Sequence, residues 1–390
     1  MALRRYATTI IVGVVCFGLG VTVQRLIDSR PVSVTVGVDA PPASPSAPPL
    51  PPIAFESEPL WAYGFPTPPK AGDTAVPQAL PTRALRPTED SAEQLRRRRI
   101  AGSRAEYSLV DIRDPQQVAD WFPGDHPPMP GIIARGPGRL TDTRRGCGFC
   151  HLPNGRGRPE NAPVGGLPIA YFIGQIQDFR SGLRKSADPR KPNTVTMIAL
   201  AKAMTDAEIV ESARYFAAIA PAPWIRVVET DAVPKTIVVN NLFLAPNHDR
   251  TEPIDGRIIE VPEVLEQAET LRNPRSGFVA YVPKGSIEQG RDLVTTGGMR
   301  VVNGTIVQGR TTPCVTCHGL DLLGVADVPP IAGRSPSYIV RQMWDIQQGT
   351  RRGAAVQLMM QAISKLSTED LRVIAAYVSS RTPVRGKSSS

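Results

Sequence analysis

The chain is short of the side chains that bind metals. Its 390 residues hold five cysteines and four histidines, and most of these stand in two short motifs. Long apolar runs are scarce as well, and one lies at residues 7–23. No segment resembles a nucleic-acid-binding module, so the net charge of +9 does not indicate nucleic-acid binding. The two motifs must therefore carry the chemistry.

Each motif has two cysteines separated by two residues and followed at once by a histidine. They read Cys147-Gly148-Phe149-Cys150-His151 and Cys314-Val315-Thr316-Cys317-His318. On one helical turn, thiols three positions apart can add to the two vinyl groups of one haem, while the adjacent imidazole reaches the iron. Zinc sites and disulfides also use C-x-x-C pairs. Because each pair has its own histidine and lies far from the other, the sequence predicts two covalently bound haem c groups.

An internal repeat surrounds the two motifs. Tyr171 follows His151 by 20 residues, and Tyr338 follows His318 by 20 residues. The segments that begin at these tyrosines align without a gap and share Tyr, Gln, Asp, Gly and Arg at the same positions. Such self-similarity indicates two copies of one structural unit. The chain therefore contains two copies of a haem-binding domain.

The same alignment selects one methionine in each copy as the sixth iron ligand. Met197 and Met359 occupy equivalent positions and follow their histidines by 46 and 41 residues. A thioether is a soft, neutral ligand that raises the reduction potential of haem iron relative to a second histidine. Methionines at helical spacing otherwise serve in packing. We interpret Met204, Met343 and Met360 in that way, with Met360 the main rival of Met359.

Together these features resemble the class I c-type cytochromes, and the tandem arrangement resembles the diheme cytochromes of bacteria. The resemblance covers residues 146–221 and 286–383. In that family, a proline carbonyl about a dozen residues after the motif accepts a hydrogen bond from the histidine ring, and Pro163 and Pro330 stand 12 residues after their histidines. Such an acceptor fixes the tautomer and makes the imidazole more basic. The resemblance thus implies that both prolines support the haem histidines.

Composition and the resemblance divide the chain into six parts. We predict a mainly α fold with two class I cytochrome c domains, a β-containing inserted segment, and a transmembrane helix and Pro-rich linker ahead of them. The predicted parts are a signal anchor or transmembrane helix (1–30), the linker (31–100), the first cytochrome c domain (101–221), the β-rich connecting segment (222–285), the second cytochrome c domain (286–383) and a disordered tail (384–390).

Local signals place helices and strands within these parts. Thr205 and Ser367, each followed by acidic residues, predict helix starts. The family also has a helix ahead of each motif that packs across the last helix. Residues 286–294 fit this role in the second copy, with Ser286 as the cap, and residues 108–121 are the nearest candidate in the first. Runs of β-branched and aromatic residues predict four strands, at 224–228, 236–239, 257–261 and 278–282.

The residues ahead of the domains predict export and anchoring. Arg4 and Arg5 precede the apolar run, whose length is near the lower limit for a membrane span. No small-x-small cleavage signature follows it, so we expect a retained helix. The protein would then lie in the bacterial inner membrane as a single-pass protein, with its haem domains in the periplasm. Residues 40–90 contain 14 prolines and predict an extended tether.

Iron that is ligated on both faces has no vacant position for a substrate, which favours electron transfer over catalysis. We therefore expect an electron carrier, not an enzyme: a membrane-tethered diheme cytochrome of a periplasmic respiratory chain. Its redox partners would be proteins such as a terminal oxidase or a periplasmic dehydrogenase. Two alternatives stay open, a diheme peroxidase-like enzyme and the cytochrome subunit of a periplasmic dehydrogenase. The remaining histidines, His126 and His248, are interpreted as loop residues.

Overall fold

A computed structural model describes residues 58–66, 90–247 and 249–383. The apolar run at 7–23, much of the predicted tether, His248 and the predicted tail at 384–390 lie outside the described residues.

Short helices form most of the two halves that contain the motifs, the first half at 101–221 and the second half at 286–383. The α-helices of the described residues are α1 (Ser91–Leu95), α2 (Leu109–Arg113), α3 (Gly131–Ala134), α4 (Cys147–His151), α5 (Ile169–Ser181), α6 (Pro192–Ala203), α7 (Asp206–Ala217), α8 (Ser286–Thr296), α9 (Val315–His318), α10 (Pro336–Gln347), α11 (Gln357–Ile363) and α12 (Thr368–Ser380). Helices α7 and α12 begin where the sequence predicts. In each, the capping hydroxyl of Thr205 or Ser367 accepts from a backbone N–H three residues on, and the acidic side chain there accepts in return.

The segment between the halves is built from strands, which makes the fold mixed rather than mainly α. The strands of the described residues are β1 (Ile225–Glu229), β2 (Ala232–Pro234), β3 (Ile237–Val239), β4 (Leu242–Leu244), β5 (Thr251–Pro253), β6 (Ile259–Pro262), β7 (Phe278–Val282), β8 (Arg300–Val302) and β9 (Thr305–Val307). Strand β7 pairs in parallel with β1 and antiparallel with β6, and the other strands form three two-stranded sheets. The prediction of a mainly α fold is wrong, because the described residues contain further strands, paired in short sheets, besides the four that were predicted.

The strand-rich segment packs against both halves. On the first half, Asn154 Nδ2 donates to the carbonyl oxygen of Pro274 at 2.6 Å. On the second half, Ser335 Oγ donates to the buried carboxylate of Glu260 at 2.9 Å. Buried polar groups of this kind fix the relative position of the elements that carry them. The segment therefore holds the two halves in a defined arrangement.

The predicted membrane anchoring needs correction. Across the ranges that the structure describes, no helix combines the length and the apolar character that a bilayer crossing requires. The run at 7–23, on which the prediction rests, is outside those ranges. For the part of the chain that the structure describes, the prediction of a transmembrane helix and of a single-pass location in the inner membrane is therefore wrong.

Part of the predicted tether is docked on the protein. Residues 58–66, here called the strap, contain the 3-10 turn Leu60–Tyr63, whose four side chains are all buried. Tyr63 Oη donates to Asp345 of the second half at 2.7 Å, and its carbonyl accepts from Lys191 Nζ of the first half at 3.0 Å. Arg341 donates to the carbonyl of Ala62. The strap thus contacts both halves at once, contrary to an extended tether over the whole of 40–90.

The second half has the predicted crossing of two helices. Helix α8 begins at Ser286, with Gly285 rather than Ser286 at its N-cap, and packs against α12. At the crossing, a Cβ added to Gly290 would lie 1.9 Å from the carbonyl oxygen of Val373 and 2.8 Å from Cβ of Tyr377. Only glycine allows the two backbones to approach so closely.

In the first half, a shorter helix packs against the last helix. Residues 108–121 form only the one-turn helix α2, and Trp121 Nε1 donates to the carbonyl of Leu271 in the connecting segment at 2.8 Å. Instead, Ile132 and Ile133 of α3 are buried in the same cluster as Ile209 and Phe216 of α7. The predicted role of 108–121 is therefore taken by α3.

We expect Gly290→Ala to destabilise the protein by about 1–3 kcal/mol, because the new methyl group overpacks the crossing of α8 and α12. Gly174→Ala is the matched control, since this glycine also lies in a helix but has open space around its Cβ position. The control should gain about 0.5–1 kcal/mol from helix propensity. Chemical denaturation of both variants measures the effect, and equal stabilities would contradict the close approach.

The strap makes stability depend on pH through Glu58. Burial, followed by the nearby charge of Asp188, raises the pKa of Glu58 to about 7 from its usual 4.5. Glu58 thus binds its proton more tightly when folded, and stability should fall as pH rises from 4.5 through 7. Glu58→Gln should have the parent melting temperature at pH 4 and a higher one at pH 8. Asp249→Asn, which alters an exposed carboxylate, should have the melting temperature of the parent at both pH values.

Candidate functional site

Both motifs adopt the helical turn that their spacing predicts. Cys147, Cys150 and His151 lie on α4, and Cys317 and His318 lie on α9 with Cys314 at its N-cap. In the second motif, the backbone N–H of His318 donates to the carbonyl of Cys314 at 2.9 Å. The two cysteines of each motif are therefore neighbours along one turn, with the histidine beside them.

Each motif histidine is held by one backbone carbonyl. His151 Nδ1 lies 2.8 Å from the carbonyl oxygen of Ala162, and His318 Nδ1 lies 2.8 Å from that of Pro329. Burial lowers the pKa of both imidazoles, which keeps them neutral. A neutral ring that donates through Nδ1 leaves the lone pair of Nε2 available to a metal. This is the protonation state that iron ligation requires.

The acceptor carbonyls differ from the predicted ones by a single residue. Pro163 and Pro330 follow directly after Ala162 and Pro329, and their own carbonyls do not bond to the histidine rings. Both proline carbonyls accept instead from Arg334, whose Nε lies 2.5 Å from that of Pro330 and whose Nη1 donates to that of Pro163. The prediction named the correct loops but the wrong carbonyl in each.

A large cavity adjoins the first motif. Its volume is about 580 Å³, and its lining includes Cys147, Cys150, His151 and Met197. Volumes of several hundred cubic ångströms are typical of cofactor sites. Most of the wall is apolar, and the aromatic and aliphatic side chains that form it are Phe172, Ile176, Phe179, Leu200, Met204 and Phe216. The predicted cysteines, histidine and methionine of the first copy are thus brought together around one space.

Cationic side chains line another part of this cavity. Arg184 and Lys191 come from the first half, and Arg341 comes from the second. Lys191 is 2% exposed, and burial lowers its pKa well below the usual value. Burial likewise lowers the pKa of Arg341. Buried cations are stabilised by nearby anions, so these residues fit the two carboxylates that a haem carries.

The second motif is more open to solvent than the first. Cys317 is exposed, and Cys314 is partly buried against the core of the second half, as are Met359 and Met360 on α11. Both methionines are therefore near the same apolar cluster, and the contacts alone do not separate them. Met359 remains the predicted ligand of the second copy.

The thiols do not form a zinc site. Burial raises the pKa of Cys147 to about 12 and that of Cys314 to about 11, so a metal ion would have to displace the thiol protons. Zinc ligation needs thiolates that are gathered in one place. In the described ranges, no cluster of three or more His, Cys, Asp and Glu side chains could hold a metal ion. The two C-x-x-C pairs are therefore not joined into one site.

His126 has partners away from both motifs. Its Nδ1 lies 2.8 Å from the carbonyl of Pro127, and its Nε2 lies 3.1 Å from a carboxylate oxygen of Asp120. Burial alone would lower the pKa of His126, but the hydrogen bond to Asp120 leads to a net increase. It is a structural residue of its loop, as predicted, whereas His248 lies outside the described residues.

The repeat residues meet at the interface between the halves. Gln175 and Gln342 are equivalent in the repeat, and so are Arg184 and Arg351. Arg184 donates to Gln175 Oε1 at 2.9 Å and to Gln342 Oε1 at 2.8 Å, while Arg351 donates to the same two oxygens at 2.9 and 3.3 Å. Arg351 also donates to Tyr171 Oη at 2.7 Å. The recurrence of these residues was visible in the sequence, but their shared network was not.

Curated relatives of the chain are c-type cytochromes. Cytochrome c-554(548) of Halomonas halodenitrificans is 39% identical over 69 residues, which are 17% of this chain and 83% of that protein. Cytochrome c4 of Azotobacter vinelandii is 36% identical over 86 residues, 20% of this chain and 41% of that protein. The thiosulfate dehydrogenase electron acceptor of Stutzerimonas stutzeri is 37% identical over 65 residues, which are 16% of this chain and 30% of that protein. The chain thus spans less than half the length of the cytochrome c4 it matches.

Two solved structures are similar at a lower level. Thiosulfate dehydrogenase from Marichromatium purpuratum has a TM-score of 0.40 and 24% identity, and the match covers 61% of this chain and 37% of that one. Cytochrome c4 from Acidithiobacillus ferrooxidans has a TM-score of 0.39 and 19% identity, and the match covers 60% of this chain and 97% of that one. No family model matches the chain.

Exchange of single methionines identifies the iron ligands. Met197→Ala and Met359→Ala should each keep both haems covalently attached, remove the contribution of one haem to the methionine-to-iron charge-transfer band, and lower the potential of that haem. Met204→Ala and Met360→Ala are matched controls, since these residues lie near the same sites. Visible spectra of the oxidised proteins distinguish the variants. Loss of the band in Met204→Ala or Met360→Ala would reassign the ligand.

Proposed function

Because the chain belongs to the c-type cytochromes, we propose that it is a diheme electron carrier with one haem c in each copy of the repeat. Its relatives support covalently bound haem c and electron transfer. The observation that carries the proposal is the composition of the first cavity, whose wall includes Tyr338, Arg341 and Gln342 of the second copy. A cofactor in this cavity would therefore contact the other copy directly.

The motif residues have distinct roles in holding each haem. The cysteines would form the two thioether bonds, and the histidine and methionine would ligate the iron. A bound haem supplies an iron centre that is reduced and oxidised by one electron. In the first copy these residues are Cys147, Cys150, His151 and Met197, and in the second they are Cys314, Cys317, His318 and Met359.

Two protein ligands for each iron would favour a carrier over a peroxidase. Ala162 and Pro329 hold the histidine rings in one orientation, and the methionines would supply the second ligand. Peroxide then has no vacant iron position to bind. The apolar part of the first cavity's wall would lower the dielectric constant around the redox centre.

The interface network supports transfer between the two copies. Two arginines share the same pair of glutamine oxygens across the interface, so neither half can rotate without breaking several hydrogen bonds. Burial would raise the pKa of Tyr338, but the charges of Arg184, Arg351 and Arg334 lower it, which shows how strongly cationic this interface is. A rigid, cationic interface would keep the two haems at a fixed separation and stabilise their carboxylates.

A role as the electron acceptor of a dehydrogenase is the more specific candidate. It is supported by the relative from Stutzerimonas stutzeri that is named as the electron acceptor of thiosulfate dehydrogenase. The carrier would then receive electrons from a dehydrogenase and deliver them to a further redox protein. Co-purification with a dehydrogenase separates this role from that of a general carrier.

The holoprotein should show two haems by mass and titrate in two one-electron steps, with both irons low-spin. A high-spin iron, rapid peroxide turnover or a single haem would contradict the proposal. Arg351→Gln should keep both haems but slow electron exchange between them several-fold, because it removes hydrogen bonds that span the interface. Arg352→Gln, which changes the exposed neighbouring arginine, should exchange electrons at the parent rate after pulsed reduction.

A further inference from the structure

One buried arginine connects the two loops that support the haem histidines. Arg334 is 7% exposed, and its guanidinium donates to the carbonyls of Pro163 and Pro330. Each proline directly follows the residue whose carbonyl accepts from a histidine ring, Ala162 in one copy and Pro329 in the other. The guanidinium and the histidine ring thus bind the carbonyls of adjacent peptide units in both copies.

The arginine is a departure from the repeat. Aligned from Tyr171 and Tyr338, the position equivalent to Arg334 in the first copy is Leu167. The preceding residue is the same in both copies, since Gly166 and Gly333 both have positive φ, at +71° and +64°. The loop conformation therefore accepts leucine in one copy, and arginine at this position serves something other than the shape of its own loop.

The charge of Arg334 has no carboxylate to balance it nearby. Among the described residues, the anionic groups that act on its charge are the tyrosines Tyr338 and Tyr171 and no carboxylate, and its hydrogen bonds go to the two backbone carbonyls. A cation that is buried without a carboxylate is costly, and such groups are kept where they have a role. Because arginine stays charged in proteins, this role involves a permanent positive charge between the two loops.

We propose that Arg334 is a positioning residue that links the two haem centres through their histidine loops. This inference rests on the proposed function, since it requires a haem on each histidine. By fixing both loops with one planar group, Arg334 sets the orientation of both imidazoles together. Its charge also favours the reduced, less positive state of both irons. A single side chain from the second copy thereby tunes both redox centres.

Arg334→Leu is the direct test, because it places in the second copy the residue that the first copy already carries. We expect both reduction potentials to fall in the full holoprotein. The paramagnetic NMR shifts of the haem methyl groups, which report the orientation of the histidine ring, should change at both haems. Arg381→Leu, which removes an exposed arginine of the second half, is the control and should change neither property.

A second variant separates charge from geometry. Arg334→Lys keeps the charge but loses the planar group that donates to two carbonyls. Its potentials should lie between those of Arg334→Leu and the parent, and its haem methyl shifts should stay altered. Should Arg334→Leu not fold, Arg334→Lys serves as the test. A change at the second haem alone would overturn the link between the copies. Altered stability with unchanged potentials and shifts would reduce Arg334 to a packing residue.

The failure of this inference can be told apart from failure of the proposed function. Mass measurement of the parent and the variants counts the haems before any potential is read. Two haems and two one-electron steps in the parent, with no effect of Arg334→Leu, would reject the role of Arg334 only. Fewer than two haems in the parent would reject the proposed function itself.

Discussion

The arrangement of the two halves depends on hydrogen bonds that Arg184 and Arg351 share across their interface. Each arginine donates to Gln175 of the first copy and to Gln342 of the second. The backbones of the two arginines also form an antiparallel bridge. A buried polar network is stable only when its members are satisfied together. The relative position of the halves is therefore specified narrowly, and so is any property that depends on the distance between the two cofactors.

Around this nearly symmetric interface, the chain adds elements that belong to one side only. The strap at 58–66 contacts Lys191 of the first half and Asp345 of the second. Arg334 contacts both histidine loops but has no counterpart in the first copy. A duplicated unit supplies two similar sites, whereas single elements that reach both copies can make the sites act as a pair. The departures from the repeat are thus the features that distinguish this protein from two joined cytochrome domains.

Periodic and local signals in the sequence predicted the elements that they determine directly. The capping residues Thr205 and Ser367 open α7 and α12, and the four β-branched runs became strands, because capping and strand propensity are local. The carbonyl acceptors were misplaced by one residue, since spacing alone does not say which carbonyl a loop turns inward. The strap was missed because the proline count averaged over 40–90 obscured three aromatic residues at 61, 63 and 65, all of which are buried.

Helical geometry alone leaves two methionines of the second copy equally placed, but the repeat distinguishes them. Val356 and Ile363, which flank them on the chain, are 3% and 4% exposed. Because residues three and four apart share a helix face, both Met359 and Met360 can lie on this buried face. In the first copy, however, the equivalents of these two residues are Met197 and Ile198, and isoleucine has no atom that can ligate iron. A mode of ligation common to both copies can therefore use Met359 but not Met360.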